Sequence, residues 1–561
     1  MAKSINFYTN LKSNLEAVRV QYVGLWSLIS KIVGTGETYG ESLGELTLSE
    51  DSTLDRRTYD PMCKRAVETI CDYYASLIFP TVNPFHLVAP KPESELRSGD
   101  IEWYEKQTNK LLSALYSSES GFFEVRDMFY RDWEVFGTSA FFTTEQDNDN
   151  CPFVVQEFGI DNLAIQDGKN NQPEYAVLSF NWYPQVIVDY FGGENGKLYN
   201  NLPDDLKKDY ISGDWNRRYK LYCILHKNTE YSPNAVMGER KAQYESVWMF
   251  DGYNKIFARN TYWENPLAVA RYSRIRGEVY GRSDVSNFIN TIAAINGIIY
   301  LAYQAAGKMA DPAIGVYDNA LAQDNEMDTD AGAIIALDST FASGANPIVP
   351  IQNIGNIAPL FDKLLTYLSE ELVKAFKLDI IIPVVQTGAM TATEFVNRLA
   401  LQSEVLSGVI MRHLTQIHGF YRRIINICTR RPGFFDFDSA PDFVKKAIKD
   451  GKDWYDVKFN NSITNIINSS QQRDFVNTCN SLVMAAQLDP SIAPDVDMYD
   501  SVLAIVKDSV LRNVLPTKLE HEERKAQRQQ QVAMAQDAQI ANMASQANRN
   551  NAQAQQINQG V

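Results

Sequence analysis

Apolar residues recur every three or four positions over the first part of the chain. Leu11, Leu15, Val18, Tyr22 and Leu25 predict a helix over residues 1–30. A Gly-rich, acidic run over 34–55 reads as a loop. Helical spacing returns over 61–79, where Ala66, Ile70, Tyr73, Tyr74 and Leu77 form a stripe that stops at Pro80. It returns again over 102–116 and over 121–135, ending at Gly137. The period then shortens. Residues 138–144, 153–158, 175–182, 218–226, 244–251 and 255–263 are β-branched and aromatic, with Asp147-Asn148-Asp149-Asn150 and Gly168-Lys169-Asn170-Asn171 between them as turns. A mixed α+β region with a strand-rich second half is the expectation.

Long helices dominate from Ser283 onward. Residues 283–308 place Val285, Phe288, Ile292, Ile295, Ile299 and Ala302 on one face of a helix about 39 Å long. An insertion over 309–355 holds β-like runs at 314–317, 333–337 and 348–351, broken by Pro and Gly. A second helix, 356–377, has Leu360, Leu364, Leu368, Leu372 and Phe376 in register. Residues 378–390 are a non-helical link with Pro383 and Gly388. Thr391-Ala392-Thr393-Glu394 then fits a capping box and opens the longest helix, marked by Phe395, Leu399, Leu406, Ile410, Leu414, Ile417, Tyr421 and Ile424. That helix closes on Arg422, Arg423, Arg430 and Arg431 before Pro432-Gly433, cations and a stop that suit a helix C-terminus. Helices are also expected at 471–487 and 498–514. The tail, 521–561, holds 11 Gln, 5 Asn and 9 Ala among 41 residues, too few apolar groups for a core of its own. Its helix formers extend to about Asn548, and the last dozen residues are expected to be disordered.

The 561 residues suit roughly three or four domains. With 45% apolar and 22% charged residues, the chain has the composition of a soluble folded protein. A net charge of −16 argues against a protein that grips DNA by its phosphates, though not against one that merely surrounds it. Cys63, Cys71, Cys151, Cys223, Cys428 and Cys479 are scattered without a CxxC pair, as reduced buried thiols would be. The N-terminus leads into no apolar signal segment.

Catalytic chemistry is not legible. There is no GxxxxGK[ST] phosphate cradle, and Gly34-Thr35-Gly36 with Gly40 lacks dinucleotide-binding spacing. His521-Glu522-Glu523-Arg524 lacks the second His of a zincin motif. His413 and His418 are five apart, which does not align two metal ligands on one helical face. Asp324, Glu326, Asp328 and Asp330 alternate, but no frame supplies both the Gly and the Glu of an EF-hand loop, so they read as an exposed acidic loop. Neither a cofactor nor enzymatic activity is expected.

Residues 285–307 carry no charge over 23 positions, long enough to cross a bilayer. They also carry Ser286, Asn287, Asn290, Thr291, Asn296 and Gln304, many polar groups for a lipid-facing helix. Packing between identical copies explains the stretch better, because like charges facing themselves around a ring repel. A membrane pore or channel subunit is the main rival reading, and a helix buried in a monomer is the other.

Gly277-Glu278-Val279-Tyr280-Gly281-Arg282-Ser283 resembles a hallmark segment of the portal (head-to-tail connector) proteins of short-tailed, T7-like bacteriophages. Met390-Thr391-Ala392-Thr393-Glu394 before a long helix is similar to the second hallmark, and the Gln/Ala/Asn-rich tail fits as well. The resemblance implies a ring of about twelve copies with closed heterologous contacts. In that family's terms, 1–282 is the wing, 283–308 and 356–377 the stem helices, 309–355 the clip and 378–390 the tunnel loop. Residues 391–464 would be the long wing helix and a return strand, 465–520 the crown, and 521–561 the barrel helix and tail. The implied partners are double-stranded DNA passing through the channel, the major capsid protein, scaffold, terminase and a tail adaptor, with no membrane. The implied location is the head–tail junction of a virion, after folding in the host cytoplasm.

Val384, Val385, Gln386 and Thr387 are then candidates for the constriction around DNA, against the alternative of an ordinary buried loop. Gly281 is expected to allow a strand-to-helix turn, Ser283 to cap the first stem helix, and Arg282 to pair across a subunit interface. Tyr280 completes this architectural group, and Asn287 and Asn290 are candidates for ring packing. A tail or baseplate protein is a milder rival, and the missing P-loop weighs against a packaging ATPase.

Overall fold

The structure, a computed structural model, describes residues 4–33, 61–79, 84–92, 95–169, 172–194, 196–213, 216–228, 230–231, 241–253, 255–317, 333–337, 348–350, 358–378, 392–459 and 517–558. The elements run α1 (Ile5–Val33), α2 (Met62–Ile78), β1 (Phe85–Val88), α3 (Ser98–Leu115), α4 (Phe122–Val135), β2 (Thr138–Glu145), β3 (Phe153–Phe158), β4 (Leu163–Asp167) and β5 (Pro173–Trp182). They continue with α5 (Pro184–Tyr190), α6 (Asp204–Ser212), β6 (Tyr219–Lys227), β7 (Tyr244–Phe250), β8 (Ile256–Tyr262) and β9 (Leu267–Arg271). Then come α7 (Asp284–Asn287), α8 (Ile289–Ala310), β10 (Ile314–Tyr317), β11 (Ile334–Leu337), β12 (Ile348–Pro350) and α9 (Ala358–Ala375). The last are α10 (Ala392–Arg430), α11 (Asp442–Lys449), β13 (Asp456–Phe459) and α12 (Lys518–Asn558). Helix and sheet are mixed, as the α+β reading expects. The chain divides into two compact units. One comprises Met1–Phe79, Tyr116–Phe395 and Glu404–Ile427, and the other Pro80–Leu115, Val396–Ser403 and Cys428–Val561.

The larger unit is built on two antiparallel sheets. Strands β4 to β8 form a meander in sequence order. Helix α1 lies on one face of it, seating Tyr8 and Leu15 against Ala164, Val177, Tyr222, Ile224, Val247 and Met249. The Tyr8 hydroxyl meets His226 Nε2 at 3.2 Å, so the polar end of this buried ring is satisfied. The second sheet has the order β3-β2-β9. Its central strand is buried on both faces from Thr138 to Thr144, which is why Thr-Ser-Ala-Phe-Phe-Thr-Thr shows no alternation. Phe141 stacks on Phe129 of α4 with 3.9 Å between ring centroids, and Phe420 of α10 lies 4.8 Å away. Helix α4 begins after Gly121 (φ +69°) and ends before Gly137 (φ +83°), both in the left-handed region that glycine enters without a Cβ clash.

The smaller unit pairs β1 with β13 in antiparallel register. Its core is aromatic: Trp103 and Phe435 lie edge-on to Trp454 at 5.5 and 5.3 Å. The Trp103 indole donates to the Asp436 carbonyl at 2.9 Å. Helix α12 opens on a reciprocal capping box. The Glu520 amide donates to Thr517 Oγ1, and the Glu520 carboxylate accepts from the Thr517 amide. The same carboxylate accepts from the Ser98 amide and hydroxyl at 2.9 and 2.6 Å, which holds its pKa below the usual glutamate value. Helix α12 runs to Asn558, ten residues beyond the expected limit at Asn548. Ala and Gln keep high helix propensity even where no core is available.

The expected single helix over 283–308 is two. Phe288, at φ −108° and ψ 16°, separates the one-turn α7 from α8, so the uncharged stretch is not one continuous rod. The 22 residues of α8 span about 33 Å. Among the described residues no helix is long and apolar enough to cross a membrane. Beyond α8, β10 pairs in parallel with β11 and antiparallel with β12, close to the strands expected from sequence. The capping position Thr391 and the helices expected at 471–487 and 498–514 lie outside the described residues.

Among the described residues His413 is a buried histidine whose neutral form the fold requires. It is fully enclosed by Phe129, Tyr130 and Trp133, with the Tyr130 hydroxyl 3.1 Å from Nε2. Burial pushes its pKa down to about 3. The unfolded chain therefore takes up a proton near pH 6.5 that the folded chain refuses. The stability contributed by the neutral imidazole is present above that pH and lost at about 1.4 kcal/mol per pH unit as pH falls toward the folded value. His413→Gln should flatten this slope in chemical denaturation between about pH 6.5 and about pH 4.5.

Candidate functional site: the root and outer face of a two-helix hairpin

The Gly277–Ser283 segment is the mount on which α7, α8 and α9 stand. Gly277 takes the turn at φ +92°. After it the chain returns as a short antiparallel bridge, the Arg282 amide donating to the Ser273 carbonyl at 2.8 Å. Tyr280 is buried, its hydroxyl donating to the Leu163 carbonyl at 3.0 Å. Its ring sits edge-on to Trp26 and Tyr22 of α1 at 5.0 and 5.2 Å. One side chain thereby ties the mount to both the meander sheet and α1.

Gly281 serves close approach, not the turn expected of it. Its φ is not in the left-handed region. A Cβ here would collide with the Gly137 carbonyl oxygen, and a Cβ on Gly137 would fall 2.6 Å from the Gly281 carbonyl oxygen. Two backbones meet where neither can carry a side chain. The Gly281 amide donates to Thr138 Oγ1 at 2.8 Å and closes the joint. Ser283 does cap, its Oγ accepting from the Ser286 amide at 3.0 Å, and it also donates to the Val135 carbonyl at 2.7 Å. Arg282 pairs with Glu278 of its own chain through two bonds of 2.9 and 2.6 Å.

Helices α8 and α9 pack on each other as an antiparallel hairpin. Lys377, just past α9, reaches Asp284 at the start of α7, with Nζ 2.7 Å from Oδ2. Near this root, Ile289, Ile292, Ile295, Leu372 and Phe376 are buried. Farther out, burial stops while apolar residues continue. Tyr303 is 63% exposed, Leu360 60%, Tyr367 61% and Leu301 52%, and Tyr300, Met309 and Leu364 are exposed too. Asn287, the last residue of α7, and Asn290, at the start of α8, are exposed near the root. Nothing lies within 4 Å of a Cβ built on Gly297 or Gly307. Glycine inside a helix costs about 1 kcal/mol relative to alanine, and the chain itself gives no reason for it at these two positions.

The family model for bacteriophage head to tail connecting protein matches residues 9–508. The chain belongs to this family. No curated protein sequence matches it. Two solved structures are similar over 76% of this chain and 99% of theirs. One is the neck of an empty gene transfer agent particle computed with C6 symmetry, at 11% identity and a TM-score of 0.32. The other is the virion of a native gene transfer agent particle, at 12% identity and a TM-score of 0.30.

The connector's sequence-predicted residues are thus brought together only in part. Tyr280, Gly281, Arg282, Ser283, Asn287 and Asn290 share the hairpin root. Val384, Val385, Gln386 and Thr387 of the link, and Asp324, Glu326, Asp328 and Asp330 of the acidic loop, lie outside the described residues. Among the described residues no group of three or more His, Cys, Asp or Glu is placed to hold a metal. Three residues of the root went unnoticed in the sequence, Glu134 of α4, Asp284 of α7 and Lys377, because none sits in a motif.

Gly281→Ala should destabilise the larger unit by about 3 kcal/mol, since the obstacle is backbone on both sides. Arg282→Lys, which keeps a cation near Glu278 in a half-exposed pair, should stay within about 1 kcal/mol of wild type. Urea denaturation of the two variants side by side checks both values.

Proposed function

We propose that this connector is a portal subunit: copies close into a ring at one capsid vertex, and double-stranded DNA passes through the centre during packaging and ejection. The supporting observation is the outer face of the α8–α9 hairpin. Seven large apolar side chains lie exposed on two packed helices that extend from a well-buried root. Fully burying a Leu or aromatic side chain contributes about 1.5–3 kcal/mol, so a face of this size in a soluble particle calls for a cover. A second copy supplies one with matching chemistry. The α7–α8 part of the face carries Asn287, Asn290, Ala294, Gly297, Leu301 and Gln304 without a charge, so repeating that part around an axis sets no like charges against each other, while α9 adds charges of both signs, Lys374 lying 3.2 Å from Glu371.

In this reading α8 and α9 are the stem, β10 to β12 belong to the clip, and the two-sheet body is the wing. The net charge of −16 suits a conduit through which DNA slides, because cations placed on phosphates would act as brakes. The residues after Lys377, including Val384–Thr387 by sequence, would form the narrowest ring. Terminase would dock at the clip during packaging and the tail adaptor afterwards, with capsid protein and scaffold around the wing. The subunit is a conduit without catalytic chemistry of its own.

Negative-stain imaging and sedimentation of the purified full chain, without detergent, should show closed rings with a central hole. Tyr303→Asp combined with Leu364→Asp should yield folded monomers, because both positions are exposed in the single chain and carry no part of its core. Wild-type protein that stays monomeric at every concentration, or a double variant that still forms rings, would overturn the reading.

A further inference from the structure

The hairpin root holds a group of charges, one buried and two partly buried, that the ring reading does not use. Lys377 is the one non-glycine residue with a left-handed backbone among the described residues, at φ +55°. Lysine has no intrinsic reason to sit there, unlike glycine or asparagine. It stands just past the C-terminus of α9, where its amide donates to the Lys374 carbonyl at 3.0 Å, and its side chain adds a tether: Nζ lies 2.7 Å from Asp284 Oδ2 and 2.9 Å from the Tyr272 hydroxyl, which itself donates to Asp284. Beside this tether stands Glu134, on the last turn of α4. Its side chain is wholly buried, and neither carboxylate oxygen meets a hydrogen-bond donor among the described residues. A buried carboxylate without a donor is rare and calls for a cause.

We propose that Glu134, Asp284 and Lys377 form a proton-controlled latch: with Glu134 protonated, Lys377 is held by Asp284 in its strained conformation, and with Glu134 ionised, Lys377 turns to it and frees the end of α9. The arithmetic of charge supports this. One cation and two carboxylates in a largely enclosed site are neutral only while one carboxyl keeps its proton. Asp284 already has two donors, so the proton belongs on Glu134. Burial and then the Asp284 charge push the Glu134 carboxyl well above the usual glutamate range, while Lys377 pulls the other way. Loss of that proton to solvent leaves a net buried negative charge, and the nearest relief is the Lys377 ammonium.

Among the described residues Lys377 is the cation that acts on Glu134. Helix α2 presents the Cys71 thiol and the Tyr74 hydroxyl, both held neutral by burial. Arg412 of α10 is engaged with the Tyr272 carbonyl at 2.8 Å, and His413 of the same helix is neutral. Arg131 and Asp132, next to Glu134 in sequence, act on Cys71 with opposite signs. Because Lys377 terminates α9 and Asp284 opens α7, exchange of the lysine between its two carboxylates changes how the hairpin is clamped to the body.

The test uses the full chain in whatever assembly it forms, with hydrogen–deuterium exchange read over residues 368–378 from about pH 6 to about pH 9 and infrared spectra of the carboxyl stretch. In wild type, protection of the last turn of α9 should fall at least about tenfold beyond the intrinsic rate change, over a one-proton transition. The protonated-carboxyl band should disappear with the same midpoint. Glu134→Gln should lack the band and stay protected throughout, and Lys377→Met should be unprotected throughout. Asp284→Asn, which leaves Lys377 only Glu134, should lack the band at every pH, and it serves if Glu134→Gln fails to fold. Equal pH dependence in wild type and Glu134→Gln, or a protonated-carboxyl band that persists in Asp284→Asn, would overturn the latch. Rings that form normally with flat exchange would sink the latch alone and leave the portal reading standing.

Discussion

An apolar surface on a helical hairpin cannot be left facing water without consequence, and the rest of this molecule is arranged around where that surface points. At the root of the hairpin, Ile289, Ile292, Ile295, Leu372 and Phe376 are covered by the chain itself. Farther out, the same two helices carry Leu301, Tyr303, Leu360, Leu364 and Tyr367 with no cover in the single chain. Apolar burial is the dominant favourable term in association, so on the proposed portal reading the change from covered to uncovered along one pair of helices is where folding of the single chain ends and assembly would begin.

A surface of this kind is useful only if it is held in a defined direction, and the body supplies that. The Gly137–Gly281 contact allows two backbones to touch without a side chain between them. The Tyr280 ring and hydroxyl join α1 to the meander sheet, and Ser283 bonds at once to its own helix and to the end of α4. These are short-range, directional contacts, which fix orientation where apolar packing alone fixes only proximity. Glu134 and Lys377 stand apart from them. A buried carboxyl without a donor and a lysine in a left-handed conformation both cost free energy, and both sit at the point where the angle of the hairpin is set.

Most of the secondary structure was legible because strong periodicity needs no tertiary information. The strand Phe153–Phe158 and the long helix Ala392–Arg430 lie where the apolar spacing puts them. The elements missed were short: the strands β1, β4 and β9 have four or five residues each and the helices α5, α6 and α11 seven to nine, too few to establish a period. The break at Phe288 was invisible because an uncharged apolar run reads the same whether one helix or two pass through it. Thr517-Lys518-Leu519-Glu520 did carry a readable capping signal, and the composition of the tail drew attention away from it. The role of Gly281 was misread for a different reason. A glycine that serves close approach and one that serves a turn are the same letter, and only the position of Gly137 distinguishes them. Likewise, the register of Leu360, Leu364, Leu368, Leu372 and Phe376 identified an apolar face but held no information about what covers it.

The account turns on whether a neighbouring copy covers the outer half of the hairpin. Hydroxyl-radical footprinting of Tyr303, Met309 and Tyr367, in nucleic-acid-free and detergent-free assemblies of the full chain, reads this directly against dispersed protomers. The account predicts that all three side chains are protected at least about fivefold on assembly. Equal modification in the two states would show that the subunits meet elsewhere, and the central claim would fall.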